Sequence, residues 1–128
     1  FILMNPVPIN SIMSYFNHAD ALYLSLKNNS TYKKTIPGKL QTYMSSGKPI
    51  IASISGESKD IVTSSMAGFV SDAEDVTGLV NNVINFINLS DKQKYDLGIN
   101  AKIYCEKNYI KENILNNLKK NLEKLIKK

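Results

Sequence analysis

Thr35–Ser53 reads TIPGKLQTYMSSGKPIIAS. Pro37 suits the first turn of a helix, where its missing N–H would have had no partner anyway. Gly47 suits the left-handed position just past a helix end. A short apolar-periodic stretch lies between them, which predicts a helix bounded by the two residues. The run PIIASI, Pro49–Ile54, then predicts a strand. Gly38 and Lys39 remain unexplained by capping. Their position at a helix N-terminus, beyond a buried strand, fits two readings: a tight turn, or a cradle for a phosphate.

Working outward, ADALYLSL at Ala19–Leu26 predicts a strand dense enough in apolar residues to be buried on both faces. Asn10 or Ser11 can cap a helix to about Asn17, with Ile12, Tyr15 and Phe16 on one face. Phe1–Met4 predicts a further strand, ended by Asn5-Pro6 and Pro8, and Lys27–Lys34 a polar loop. Downstream, Glu57–Ser65 predicts a helix and Phe69–Ser71 a strand after the turn at Gly68. A helix from Asp72 to about Asn88 should face Leu79, Val80, Val83, Ile84 and Ile87 inward. Ser90 and Gln93 form a capping-box pattern for a helix to about Asn108. Ile114, Leu115, Leu118, Leu122, Leu125 and Ile126 mark a last amphipathic helix.

The order β-α-β-α-β-α-β, then helices alone, implies an α/β fold: a Rossmann-like parallel sheet with helices on both faces, ending in amphipathic helices. Ligands of such sheets bind at the carboxyl ends of the strands.

The 128 residues, 43% hydrophobic and 21% charged, suit one globular domain. The single cysteine excludes an internal disulfide and suits a reducing, cytoplasmic compartment. No apolar run approaches the ~18 residues of a membrane span. The apolar opening at Phe1 gives the expectation of a piece of a longer protein.

Residues 1–90 hold six lysines and six acidic residues, whereas residues 91–128 hold ten and five, so the tail carries the entire net charge of +5. This is either a solvated lysine face or an attraction to a polyanion such as an anionic membrane surface. Arginine is absent, which disfavours nucleic-acid readout.

If Thr35–Lys39 binds phosphate, the donors are the N–H groups of Gly38, Lys39 and Leu40, with the Lys39 ammonium beside them. The Walker A spacing is absent. Ser55, Gly56 and Glu57, at the end of the strand Pro49–Ile54 and the start of the next helix, fit either a second ligand loop or, for Glu57, a first-turn carboxylate favoured by the helix dipole. Small residues at Ser45–Gly47 should let the helix end approach the following strand. His18 with Asp20 suits a helix end and a turn better than a catalytic dyad, and Cys105 reads as packed and inert. No motif for a metal or bound cofactor is present.

NHADALYLSLKNN, IPGKLQTYMSSGKPIIAS and SGESKDIVTSSMAGFVS together resemble the C-terminal, donor-binding domain of GT-B glycosyltransferases of the large retaining family 4. The tail resembles that family's closing helices. The Pro-x-Lys-Leu variant before Gly-Lys-Pro-Ile is similar to enzymes of bacterial O-antigen, capsule and other surface polysaccharides. The resemblance implies transfer of a sugar from a nucleotide-diphospho-sugar to a glycan or lipid-linked acceptor, without a metal, across a cleft from a separate acceptor-binding domain. It places the donor diphosphate at Gly38, Lys39 and Leu40, and the ribose and sugar near Lys34, Thr35 and Thr42. Lys34 and Thr42 stand where the family's commonest pattern has two glutamates.

Under that resemblance residues 1–128 form one partial domain, with the lysine-rich helices of 91–128 packed on it, and are inactive alone. Phe1–Met4 would be its third strand. That segment is then expected to be displaced, pairing beside Ala21–Leu26 or with another copy through the open sheet edge. The rival reading is a non-catalytic α/β interaction module docking through Lys119, Lys120, Lys124, Lys127 and Lys128.

Overall fold

The computed structural model describes residues 2–126. After a single 3-10 turn at Ile9–Ser11, the elements are α1 (Ile12–His18), β1 (Leu22–Ser25), α2 (Ser30–Lys33), α3 (Gly38–Ser45), β2 (Ile50–Ser53), α4 (Glu57–Ser64), β3 (Gly68–Ser71), α5 (Val76–Ile87), α6 (Asp91–Tyr109) and α7 (Lys111–Ile126). The strands form one parallel sheet in the order β1-β2-β3, with Leu22, Ile50 and Gly68 in register. The fold is α/β and Rossmann-like.

Alternation along the strands sends Leu24, Ile50 and Ala52 to one face, where they join Leu40 and Met44 of α3, Ile61 and Val62 of α4 and Ala101 of α6 in the core. Leu40, Met44, Ile50, Ala52 and Val62 are completely buried. Each large apolar side chain so placed contributes about 1.5–3 kcal/mol. The opposite face carries α5, which packs on β3 and β2. It stops short of β1, so Tyr23 is half exposed.

Pro37 is the extended N-cap before Gly38 and not a residue of the first turn, whereas Gly47 ends α3 as read, at φ 70°. The small residues there admit a different neighbour from the one expected. Gly98 of α6 lies so close to the Gly47 carbonyl that a Cβ would overlap it. The Ser90–Gln93 capping box of α6 is formed.

Three expectations are corrected. Residues 2–4 form no strand and are exposed; Phe1 lies outside the described residues. Among the described residues β1 pairs with β2 alone, so the N-terminal segment does not add beside Ala21–Leu26. Pro6 and Pro8 follow directly, and neither can donate to a ladder. The loop Lys27–Lys34 contains α2, capped by the Asn29 side chain on the Tyr32 N–H at 2.9 Å.

The third correction concerns α5. It starts at Val76, with Asp75 as its cap, and presents Phe86 to the core. Val80, Val83, Ile84 and Ile87 are exposed. VTGLVNNVINFI is amphipathic, but the helix is turned so that only the Leu79–Phe86 edge of its apolar arc meets the sheet and the middle of the arc is exposed. The choice falls to Gly78, which lies against the Asp75 carboxylate and Ser71 of β3 so closely that it has no room for a side chain.

α7 is joined to the end of α6 through Asn113, buries none of its described residues and leaves its apolar stripe exposed. No described helix is long and apolar enough to cross a membrane.

Candidate functional site

All three strands run parallel, so their carboxyl ends meet at one end of the sheet. There the N-termini of α3 and α4 are held together by the segment Lys33–Pro37. Gly56, the N-cap of α4, has φ 75° and lies against the Lys33 backbone, where any Cβ would overlap it. Two residues on, the buried Ser58 hydroxyl donates to the Thr35 carbonyl at 2.9 Å. One loop therefore contacts the first turn of one helix and leads into the other.

The expected donors need revision. The Leu40 N–H is spent on the Pro37 carbonyl at 2.9 Å, and its side chain is fully buried. Leu40 is thus a core residue. Among the described residues the N–H groups of Gly38 and Lys39 have no partner, and both residues are exposed. Such donors at a helix N-terminus carry partial positive charge. A Cβ at Gly38 would meet nothing, so this helix end is open.

Lys27, Lys33, Lys34, Lys39 and Lys59 all lie on segments at this end of the sheet, and Lys48, just ahead of β2, lies at the other. Lys59 pairs with Asp72 at 2.8 Å. Ser55 donates to the same carboxylate oxygen at 3.2 Å and accepts from the Ala73 N–H at 3.1 Å. The Lys59 hydrogen bond and charge, helped by Ser55 and Lys33, hold the Asp72 carboxyl below its ordinary value. Among the described residues Lys33, Lys34 and Lys39 have no carboxylate within 4.0 Å.

The predicted residues fall into two groups. Lys34, Thr35, Gly56 and Glu57 belong to the junction between α3 and α4. Lys39 and Thr42 line a hollow of about 490 Å³ with Val7, Ile9, Ile12, Phe16 and Tyr43. Its wall is an edge-to-face pair of Phe16 and Tyr43, with ring centroids 5.4 Å apart. The Thr42 hydroxyl donates to the Gly38 carbonyl at 3.0 Å, which leaves its lone pairs for an incoming donor. So α3 has a polar, cationic end and an apolar flank, and Lys39 belongs to both.

Sequence reading picked out Ser55 with Gly56 and Glu57 but missed Ser58, Lys59 and Asp72, because an isolated serine and one ion pair have no periodic signature. His18 forms no dyad: its Nδ1 lies 2.7 Å from the Ser14 carbonyl of its own helix. Cys105 is part-buried, its thiol pushed up by burial and by the neighbouring Glu106, and it lies 3.7 Å from the Gln41 carbonyl. Among the described residues no group of three potential ligands could hold a metal.

The family model described as "Glycosyl transferases group 1" matches residues 1–88, which include every candidate site residue. No curated protein and no solved structure matches the chain significantly.

Proposed function

Because the chain belongs to the glycosyl transferases group 1 family, we propose that its open helix end binds the diphosphate of a nucleotide-diphospho-sugar. The Gly38 and Lys39 N–H groups take the phosphate oxygens and the Lys39 ammonium supplies a full charge. As the glycosidic bond to the donor breaks, negative charge grows on the departing diphosphate. Donors already oriented at the helix end stabilise that charge without reorganising. No metal is needed for this step. Lys34 and Thr35 lie toward the sugar, with Gly56 and Glu57 as a second contact loop.

Thr42 accepts a hydrogen bond from a ribose hydroxyl. A glutamate would accept through a charge, so the neutral threonine makes this contact weaker. The acceptor is a glycan or lipid-linked glycan of bacterial surface polysaccharide assembly, held by an opposing domain. Residues 1–128 alone accordingly bind donor without transferring it. The unpaired edge of β1 is where a further strand, or a second copy, would add.

The observation that carries this reading is the pair of unpartnered N–H groups beside Lys39 within the family match. Calorimetric titration with UDP, GDP and ADP tests it. Binding of one nucleotide diphosphate, weakened about tenfold or more by Lys39→Ala, supports the reading. Binding unchanged by Lys39→Ala, or no binding of any of the three, overturns it.

A further inference from the structure

We propose that Glu74 is a positioning residue for the donor site, holding one end of the segment that carries Lys34 and Thr35; this rests on the nucleotide-diphospho-sugar reading of that site. Glu74 is out of place by local rules. Its φ of 70° lies in the left-handed region, which a residue with a Cβ adopts at a cost. It is the third residue of a turn closed by the Asp75 N–H on the Asp72 carbonyl at 3.1 Å. Glycine or asparagine suits a left-handed turn position better than glutamate.

The turn does not account for the side chain, but its reach does. The Asn28 N–H, 46 residues away in sequence, donates to the Glu74 Oε1 at 3.2 Å. Among the described residues no lysine ammonium lies within 4.0 Å of that carboxylate, so the amide is its partner.

The turn is itself anchored. Lys59 of α4 and Ser55 both bind the Asp72 carboxylate, and the Ala73 N–H donates to the Ser55 hydroxyl. Asn28 is thus tied to a fixed point, and Thr35 is tied to α4 through Ser58. Between these tethers the Asn29 side chain caps α2 on the Tyr32 N–H. The run from Asn28 to Thr35 is exposed, so burial in the core does not fix its path. The hydrogen bonds at its two ends fix it instead. A segment already held in place loses less freedom when its ligand binds, and the difference appears as affinity. Without Glu74, Lys34 and Thr35 would stand on a segment released at its Asn28 end.

The test compares the unmodified 128-residue chain with Glu74→Gly and Glu74→Gln. Glycine accepts the left-handed φ and has no carboxylate. Glutamine keeps both the backbone cost and an acceptor oxygen. Calorimetric titration uses whichever of UDP, GDP and ADP binds the unmodified chain, and NMR solvent exchange reads the Asn28 amide. Glu74→Gly should bind at least about threefold more weakly. Its Asn28 amide should exchange about tenfold faster, with a urea midpoint no lower than that of the unmodified chain. Glu74→Gln should restore affinity and exchange to within about twofold.

Four results overturn the proposal: unchanged affinity in Glu74→Gly, a glutamine variant as weak as the glycine one, an Asn28 amide that exchanges no faster, or a urea midpoint that falls along with the affinity. The last would make Glu74 a residue of the fold alone. Absence of nucleotide binding by the unmodified chain would fail the donor reading and this inference with it. Binding that Lys39→Ala weakens and Glu74→Gly does not would fail this inference alone.

Discussion

The Ser58 hydroxyl and the Thr35 carbonyl, 23 residues apart in sequence, meet at 2.9 Å. That bond ties the first turn of α4 to the loop that opens α3, at the end of the parallel sheet where both helices begin. Ser58→Ala should leave the part-buried carbonyl unpaired and cost about 1–2 kcal/mol, read from the midpoint of urea unfolding. Nucleotide binding should weaken as well. An unchanged midpoint would show that the loop holds its place without the bond.

Gly56→Ala should do more damage. The position combines a left-handed φ of 75° with backbone contact to Lys33. Either the loop Lys33–Pro37 shifts or α4 does. We expect about 2–4 kcal/mol of destabilisation. Gly38→Ala, with open space and an ordinary backbone, should cost under about 1 kcal/mol. Equal losses would contradict the close approach at Gly56.

The pH response follows from Asp72. Its carboxyl lies below the ordinary 3.8 in the folded chain, chiefly through the Lys59 hydrogen bond and charge. A depressed value means that the pair contributes above the unfolded value and is lost as pH falls through the folded one. The contribution is small, because the carboxylate is exposed. NMR titration should place the Asp72 midpoint below 3.8 and move it up toward that value in Lys59→Met. A midpoint insensitive to Lys59→Met would remove the pair as the cause.

The two faces of α5 give a sharp contrast. Phe86→Ala should cost about 3–5 kcal/mol, because Phe86 is only 5% exposed and lies inside. Ile84→Asn, on the exposed side, should change stability by less than about 0.5 kcal/mol. The opposite ranking in chemical denaturation would restore the inward face read from the sequence.

Residue chemistry by itself determined the limits of α3 and most of the element order. Pro37, Gly47 and the Ser90–Gln93 box act through bonds and dihedral angles within a few residues, and such rules hold before any tertiary contact forms. The parallel sheet was legible for the same reason: short buried strands alternating with helices leave few arrangements. Gly38 and Lys39 could be read as a helix N-terminus with spare donors. Leu40 could not be set apart from them, because its N–H is bonded and its side chain buried only once the chain has packed.

Tertiary structure decided the rest. Phe1–Met4 had the composition of a strand, but a strand exists only with a partner for its ladder, and residues 2–4 have none among the described residues. The inward face of α5 depended on Gly78 meeting Ser71, and the approach of α6 on Gly98 meeting the Gly47 carbonyl. Ser58 and Thr35 found each other only because α3 and α4 cross one sheet in sequence. Local rules fix where elements begin and end. Which of their surfaces touch, and therefore which helix ends share a site, is settled by close packing between residues distant in the chain.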